Sequence, residues 1–276
     1  MLKRNETVFG LHDTAREKSS CGVGFITRKD GVQTHKLLEK GHEALCSVPH
    51  RGGMSAEGVG DGAGVSVDLS IEFFQKITNT DLKAGQFGVG NFFMPNRQEQ
   101  RDKACQLIAS SLADSGLKIL AERDIAVDNG VLRSAAIDLQ LPITQWIFLA
   151  PMGISGVKFE KLIYSVLLAI ESQAYTDVEL DGLYPLSMSS QTQVLKGRLN
   201  SNEIIPYFKD LNDSSHSVNT LYFHTRFSTN TDPHQAGWEI NIQALLLNML
   251  TLSRVASENY IEGWGGAQSS SNLVTL

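Results

Sequence analysis

Apolar positions along the chain fall into short runs separated by polar and glycine-rich stretches. Their spacing predicts alternating blocks of strand and helix. Residues 23–27 read as a buried strand, closed by Lys29-Asp30-Gly31 as a hairpin turn. Residues 35–47 place Leu37, Leu38, Gly41, Ala44 and Leu45 on one stripe, the spacing of an amphipathic helix. Residues 65–69 alternate as a strand does, 87–94 and 117–120 are further strands, and a helix over 98–115 lies between those two. Residues 143–149 are apolar and β-prone. Residues 159–173 form a helix with Leu162, Ile163, Val166, Leu167 and Ile170 inward. Residues 184–190 and 192–195 read as paired strands, 203–211 as a short helix or turn, and 221–228 as a strand running into a polar loop. Residues 245–252 are apolar and helix-compatible; past Tyr260 the run Gly-Trp-Gly-Gly-Ala-Gln-Ser-Ser-Ser-Asn reads as loop or tail. Strands in runs, separated by two helices, predict an α+β fold with antiparallel sheet rather than a βαβ repeat.

Composition narrows the class. The 276 residues are 42% hydrophobic and 20% charged, which is ordinary for a globular protein. The net charge of −6 gives no basic footprint for nucleic acid. No apolar run is long enough to cross a bilayer, so no membrane partner is expected. Residues 1–20 are polar and charged, without the apolar core of a secretory signal, and read as a leader. The cysteines Cys21, Cys46 and Cys105 show no CxxC spacing. That argues against a disulfide framework or zinc site, leaves no metal site to propose, and fits a reducing cytoplasm.

The sharpest chemical feature is Cys21, in Ser-Ser-Cys-Gly-Val-Gly-Phe-Ile. Gly22 and Gly24 let backbone approach the thiol closely, and the buried strand that follows would hold it rigidly, as a nucleophile needs. The competing reading is a small buried core residue, as most free cysteines are. Cys46 and Cys105, each within a helix, read as core residues. Gly60-Asp61-Gly62 resembles a phosphate loop, but no Lys-Ser/Thr pair follows and a strand does, so it reads as a tight turn.

Five strings occur in order: Cys-Gly-Val-Gly-Phe (21–25), His-Arg-Gly-Gly (50–53), Gly-Asp-Gly-Ala-Gly (60–64), Ser-Ser-Gln-Thr-Gln-Val-Leu-Lys-Gly (189–197) and His-Thr-Arg-Phe-Ser-Thr-Asn-Thr (224–231). Together they resemble the class II glutamine amidotransferase domain of the glutamate synthase large subunit, over about residues 12–236. The resemblance implies an N-terminal nucleophile fold, a four-layer αββα sandwich of two antiparallel sheets. It divides the chain into a propeptide-like leader (1–20), the amidotransferase domain (21–242) and a divergent or truncated C-terminal segment (243–276). It implies a cut between Ser20 and Cys21, with Cys21 attacking L-glutamine. Arg226 pairs with the substrate α-carboxylate, and Ser228, Thr229 and Asn230 line the substrate. Arg51 helps to position the nucleophile, although the residues alone read equally as a helix-end arginine. Gly60, Asp61 and Gly62 form a supporting turn, and His224 is a structural hydrogen-bonding residue. The implied partner is a synthase domain or subunit that receives ammonia. Flavin and iron–sulfur cofactors belong to that absent synthase region, and none is expected here.

The chain departs from the family pattern downstream. The oxyanion pair Asn-Gly is replaced by Gly237-Trp238, before Glu239-Ile240-Asn241, so Asn241 is the nearest stand-in donor. The Ser-Asp-Ser string that binds the substrate amine is matched only by Gln268-Ser269-Ser270-Ser271, without an acid. The alternative these departures raise is an amidotransferase-like binding or assembly module with weak or no catalysis.

Overall fold

The last strand of the described chain is threaded between two earlier ones, and this placement organises the first of two sheets. The computed structural model describes residues 22–48, 52 and 54–225. Its strands are β1 (Val23–Thr27), β2 (Ala63–Asp68), β3 (Phe87–Phe93), β4 (Lys118–Asp124), β5 (Ile143–Leu149), β6 (Tyr184–Ser189), β7 (Thr192–Gly197) and β8 (Thr220–His224). Its helices are α1 (Lys36–Ser47), α2 (Ile71–Thr78), α3 (Gln98–Asp114), α4 (Ser134–Ile137), α5 (Gly156–Thr176) and α6 (Ile204–Tyr207). Sheet I has the order β1-β8-β2-β7 and sheet II the order β4-β5-β3-β6, and every pairing is antiparallel. Asp68, at the end of β2, pins the start of β8 by accepting from the backbone N–H groups of Asn219 (2.8 Å) and Thr220 (2.7 Å).

The layers follow from the apolar stripes. Leu37, Leu38 and Leu45 of α1 are buried in one cluster with Val65, Val67, Leu195, Leu221 and Phe223 of sheet I. That cluster continues through Tyr207, Phe208 and Leu211 to Phe93, Ile143 and Leu186 of sheet II. On the far side, Ala104, Ile108 and Leu112 of α3 and Phe159, Ile163, Val166 and Ile170 of α5 cover Phe92, Trp146, Phe148 and Met188. The result is the four-layer αββα sandwich of two antiparallel sheets. Among the described residues no helix is long and apolar enough to cross a membrane.

Most predicted elements form where the periodicity puts them, and the differences have physical causes. Helix α2 carries no predicted counterpart. Ser70 caps its start by accepting from Phe73 N (3.5 Å), left-handed Asn79 (φ 47°) ends it, and Phe73 and Phe74 anchor it. Strand β2 does not alternate, because it is an interior strand covered on both faces, and Ser66 is buried with Val65 and Val67. The turn at Lys29-Asp30-Gly31 forms, with Gly31 N donating to Arg28 O (3.2 Å), but it leads toward α1 and closes no hairpin, since β1 pairs with β8.

β6 and β7 are not paired with each other. Their turn crosses from sheet II, where β6 pairs with β3, to sheet I, where β7 pairs with β2. Glu160 of α5 holds this crossing, accepting from Ser190 N (2.6 Å), the Ser190 hydroxyl and the Ser189 hydroxyl (3.3 Å). Cys46 is exposed, not in the core: it lies one residue past Leu45, rotated off the buried stripe, with its sulfur 3.7 Å from His42 Nε2. Cys105 is half-buried against the sheet II core, and burial pushes its thiol up to about 12, so it stays protonated.

A closed ring of polar side chains ties the two sheets together. Arg123 of β4 donates through Nε (2.9 Å) and Nη2 (2.7 Å) to Gln145 Oε1 of β5 and forms an ion pair with Asp210. Gln145 Nε2 donates to Asn91 Oδ1 of β3 (2.9 Å) and, across the sandwich, to Gln193 Oε1 of β7 (3.1 Å). Gln193 Nε2 donates to His216 Nε2 (3.4 Å), and His216 Nδ1 donates to the Asp210 carbonyl (2.8 Å). Because Arg123 can only donate, it fixes the direction of both amides and requires an acceptor nitrogen on His216. The imidazole is fully buried and stacked on Phe73 at 4.4 Å. Burial lowers its pKa to about 4, with Arg123 and His35 adding to that, while the Asp210 carbonyl opposes it.

Two outcomes follow for stability. The unfolded chain binds a proton at His216 near pH ~6.5 and the folded chain only near 4, so stability is full above pH 6.5 and falls as pH drops through that window. Urea titrations at pH 7 and 5 should show this loss, and His216→Phe should flatten the slope between them. Gln145→Leu leaves Arg123 Nε, Asn91 Oδ1 and Gln193 Oε1 without the partner Gln145 gave them, while Arg123 keeps its Asp210 ion pair, and should cost on the order of 2–4 kcal/mol in the same titrations.

Candidate active site

Antiparallel order places four strand termini at one end of sheet I: the start of β1, the end of β8, the start of β2 and the end of β7. The register there pairs Val23 with His224, Gly64 with His224, and Ala63 with Gly197. The described residues of four of the five strings noted in the sequence therefore meet at one end of the sheet, although they lie up to two hundred residues apart. The ladder is extended at its end by Thr225 N donating to Gly22 O at 2.8 Å. Gly22 is the covalent neighbour of Cys21, and Thr225 of Arg226. Cys21, Arg51, Arg226, Ser228, Thr229, Asn230 and Asn241 themselves lie outside the described residues, as do the leader and the segment from 243 onward.

Gly60, Asp61 and Gly62 are described: the chain bends at Asp61, while the hydrogen-bonded turn lies just before them, with Gly58 N donating to Ser55 O (2.9 Å). Gly60 pairs with Met54 as an isolated antiparallel bridge, and Ser55 N donates to Val59 O (2.8 Å). A Cβ at Gly60 would run into the backbone carbonyl of Leu199. Gly62 adopts φ +132°, where a side chain is strained, as the chain swings into β2. Asn200 locks the two loops together, donating from Nδ2 to Gly58 O (3.2 Å). Gly60 and Gly62 are buried and Asp61 is half-buried beside them.

Several residues at this end escaped the sequence reading. Thr225 is 2% exposed, and its hydroxyl has no hydrogen-bond partner among the described residues. The same is true of Arg198 Nε and Ser201 Oγ in the loop after β7. A buried polar atom without a protein partner costs free energy unless water, ligand or further chain meets it, so polar groups accumulate here that the described residues do not satisfy. Lys196 is 2% exposed, its ammonium lying 5.4 Å from the Tyr184 ring and 5.7 Å from that of Phe93. It also borders a cavity of about 240 Å³ with Asp124, Gln140, Tyr207 and Phe208. A lysine inside Val-Leu-Lys-Gly, within an apolar strand, was the signal available for it. Among the described residues no cluster of three or more His, Cys, Asp or Glu side chains could hold a metal ion.

Comparison with known proteins bears on this geometry. Residues 21–241 match the family described as class-II glutamine amidotransferases. The NADH glutamate synthase of Saccharomyces cerevisiae is 31% identical over 235 residues, which cover 81% of this chain and 11% of the yeast protein. The NADPH glutamate synthase large chain of Bacillus subtilis is 31% identical over 229 residues, covering 81% of this chain and 15% of its own length. Ferredoxin-dependent glutamate synthase 2 of Synechocystis is 30% identical over 277 residues, covering 96% of this chain and 18% of that protein. The chain thus spans less than a fifth of the length of these relatives. With its motif strings gathered at one end of sheet I and the match running from residue 21 to 241, the chain belongs to the class-II glutamine amidotransferases.

Proposed function

We propose that this chain releases ammonia from L-glutamine, with Cys21 as the nucleophile. The observation that carries the reading is the 2.8 Å hydrogen bond between Thr225 N and Gly22 O, which joins the chain neighbours of Cys21 and Arg226. On this reading the thiol and the carboxylate-binding guanidinium are the next residues in sequence beyond that bond. The family match, which begins at Cys21, supports the same reading.

The chemistry uses groups on this chain. Removal of residues 1–20 frees the α-amino group of Cys21, whose ordinary pKa of ~7.7–8.0 lies close to that of a thiol at ~8.5. The amine takes the thiol proton, and the thiolate adds to the carbon of the substrate's side-chain amide. The carbonyl π electrons move onto oxygen, where Asn241 is the available side-chain donor. Collapse of the tetrahedral adduct breaks the C–N bond, the ammonium returns its proton, and ammonia leaves. Water then attacks the thioester, releasing glutamate and restoring the thiol. Arg226 holds the α-carboxylate through two parallel N–H···O bonds. Ser228, Thr229 and Asn230 line the substrate, and Arg51 with the Gly60-Asp61-Gly62 segment supports the nucleophile. The ammonia passes to a synthase domain or subunit, in keeping with the names of the relatives.

A second reading rests on one observation: Gly237-Trp238 stands where the family carries its oxyanion Asn-Gly. On that reading the domain binds or assembles and turns over weakly or not at all.

Intact-mass measurement should show a chain beginning at Cys21, and Cys21→Ala should lower ammonia release by at least ~10³-fold. A full-length mass together with no labelling of Cys21 by a glutamine-mimicking diazo-ketone would favour the binding module instead. Arg226→Lys keeps the charge but loses the fork. It should raise KM for glutamine by roughly 10–100-fold with a smaller change in kcat.

A further inference from the structure

Helix α5 is apolar on two opposite faces. Its inner face, Phe159, Ile163, Val166 and Ile170, is buried against sheet II. Opposite Val166 a second stripe reaches solvent: Val157, Tyr164, Leu168 and Tyr175, between 44% and 92% exposed. Lys161 and Glu171 complete this outer row. The six positions 157, 161, 164, 168, 171 and 175 are spaced four, three, four, three and four residues apart, the seam of a two-helix coiled coil. At 1.5 Å per residue the seam runs about 27 Å. Single exposed apolar residues are ordinary on a surface, but four aligned on one line of a helix already packed on its other side are not.

The seam is self-complementary. Val157 and Tyr175 lie nine residues on either side of Val166, Lys161 and Glu171 lie five on either side, and Tyr164 and Leu168 lie two on either side. Two copies of α5 laid antiparallel about a two-fold axis at Val166 therefore pair Val157 with Tyr175, Tyr164 with Leu168, and Lys161 with Glu171. A parallel pair would instead set lysine on lysine and glutamate on glutamate. Among the described residues neither Lys161 nor Glu171 makes an ion pair within the chain, so both charges are available. A charged pair within an apolar seam is the feature that sets register and orientation in coiled coils.

We propose that the outer face of α5 is a homodimer interface, closed by an antiparallel α5–α5 contact on a two-fold axis beside Val166. A contact of this length buries on the order of 1,000 Å² in total, the low end of specific interfaces, so a concentration-dependent association is expected. The catalytic reading above is not needed for it.

Sedimentation equilibrium on the full chain tests the proposal. Over about 1–200 µM the wild-type mass should rise from that of one copy toward two. Leu168→Glu should hold it at one copy throughout. Lys161→Glu and Glu171→Lys should each weaken association by at least ~10-fold, and the double exchange should restore it, because the same two charges then meet with signs reversed. Unchanged circular dichroism, and thermal midpoints matching the wild type at concentrations where it is a single copy, would show that these exposed variants fold. A wild-type chain that stays monomeric across the range overturns the proposal, as does a dimer that survives Leu168→Glu or a double exchange that fails to rescue. The first of those results would leave the face to a different partner.

Discussion

The rest of the structure depends on the donor-only character of Arg123. Its guanidinium, held by the Asp210 carboxylate, presents N–H groups to Gln145 and so fixes which way that amide points. Gln145 then directs Gln193 across the sandwich, Gln193 directs its N–H toward His216, and His216 closes the ring on the Asp210 backbone. Each member has one consistent role, and none can reverse without setting donor against donor. An apolar interface would have allowed the two sheets to slide. A directional ring between β4, β5, β7 and the segment before β8 sets their relative position.

That position is what brings the candidate site into being. Asp210 and His216 lie in the segment leading to β8, so fixing them also fixes where β8 enters sheet I, with Asp68 capping its first backbone N–H groups. β8 then runs between β1 and β2 and ends at Thr225, hydrogen-bonded to Gly22. The ring and the motif edge thus lie at different places along the same sheet, linked by a rigid strand. The Glu160 clamp on the Ser189–Ser190 turn has the same effect on β7, committing the chain to cross between sheets just before Lys196 and Gly197 reach that edge.

Local elements were largely legible because burial on one side leaves a period in the sequence. The α1 stripe, the apolar run of β5 and the inner face of α5 were all readable in this way. Where burial comes from both sides the period vanishes, and β2 reads as alternating only until its neighbours are known. Pairing was the harder matter. Thr192–Gly197 follows Tyr184–Ser189 across two residues and looks like the second arm of a hairpin, yet each strand finds its partner elsewhere. Short loops favour sequential pairing, and only the competing edges of β2 and β3, with Glu160 holding the turn, decide otherwise.

The motif strings were visible from residue order, and with them the class-II glutamine amidotransferase family, because close backbone approach demands glycine and a few fixed side chains at fixed intervals. By itself the sequence determined the α+β class and most helix and strand positions, both of them consequences of short-range sterics and one-sided burial. Tertiary structure alone decided that strings two hundred residues apart share one sheet edge. It also decided that Arg123, Gln145, Gln193, His216 and Asp210 close a ring, and that Lys196 is buried at the end of its strand. Those outcomes depend on strand order and on donor and acceptor direction, which no local period along the chain encodes.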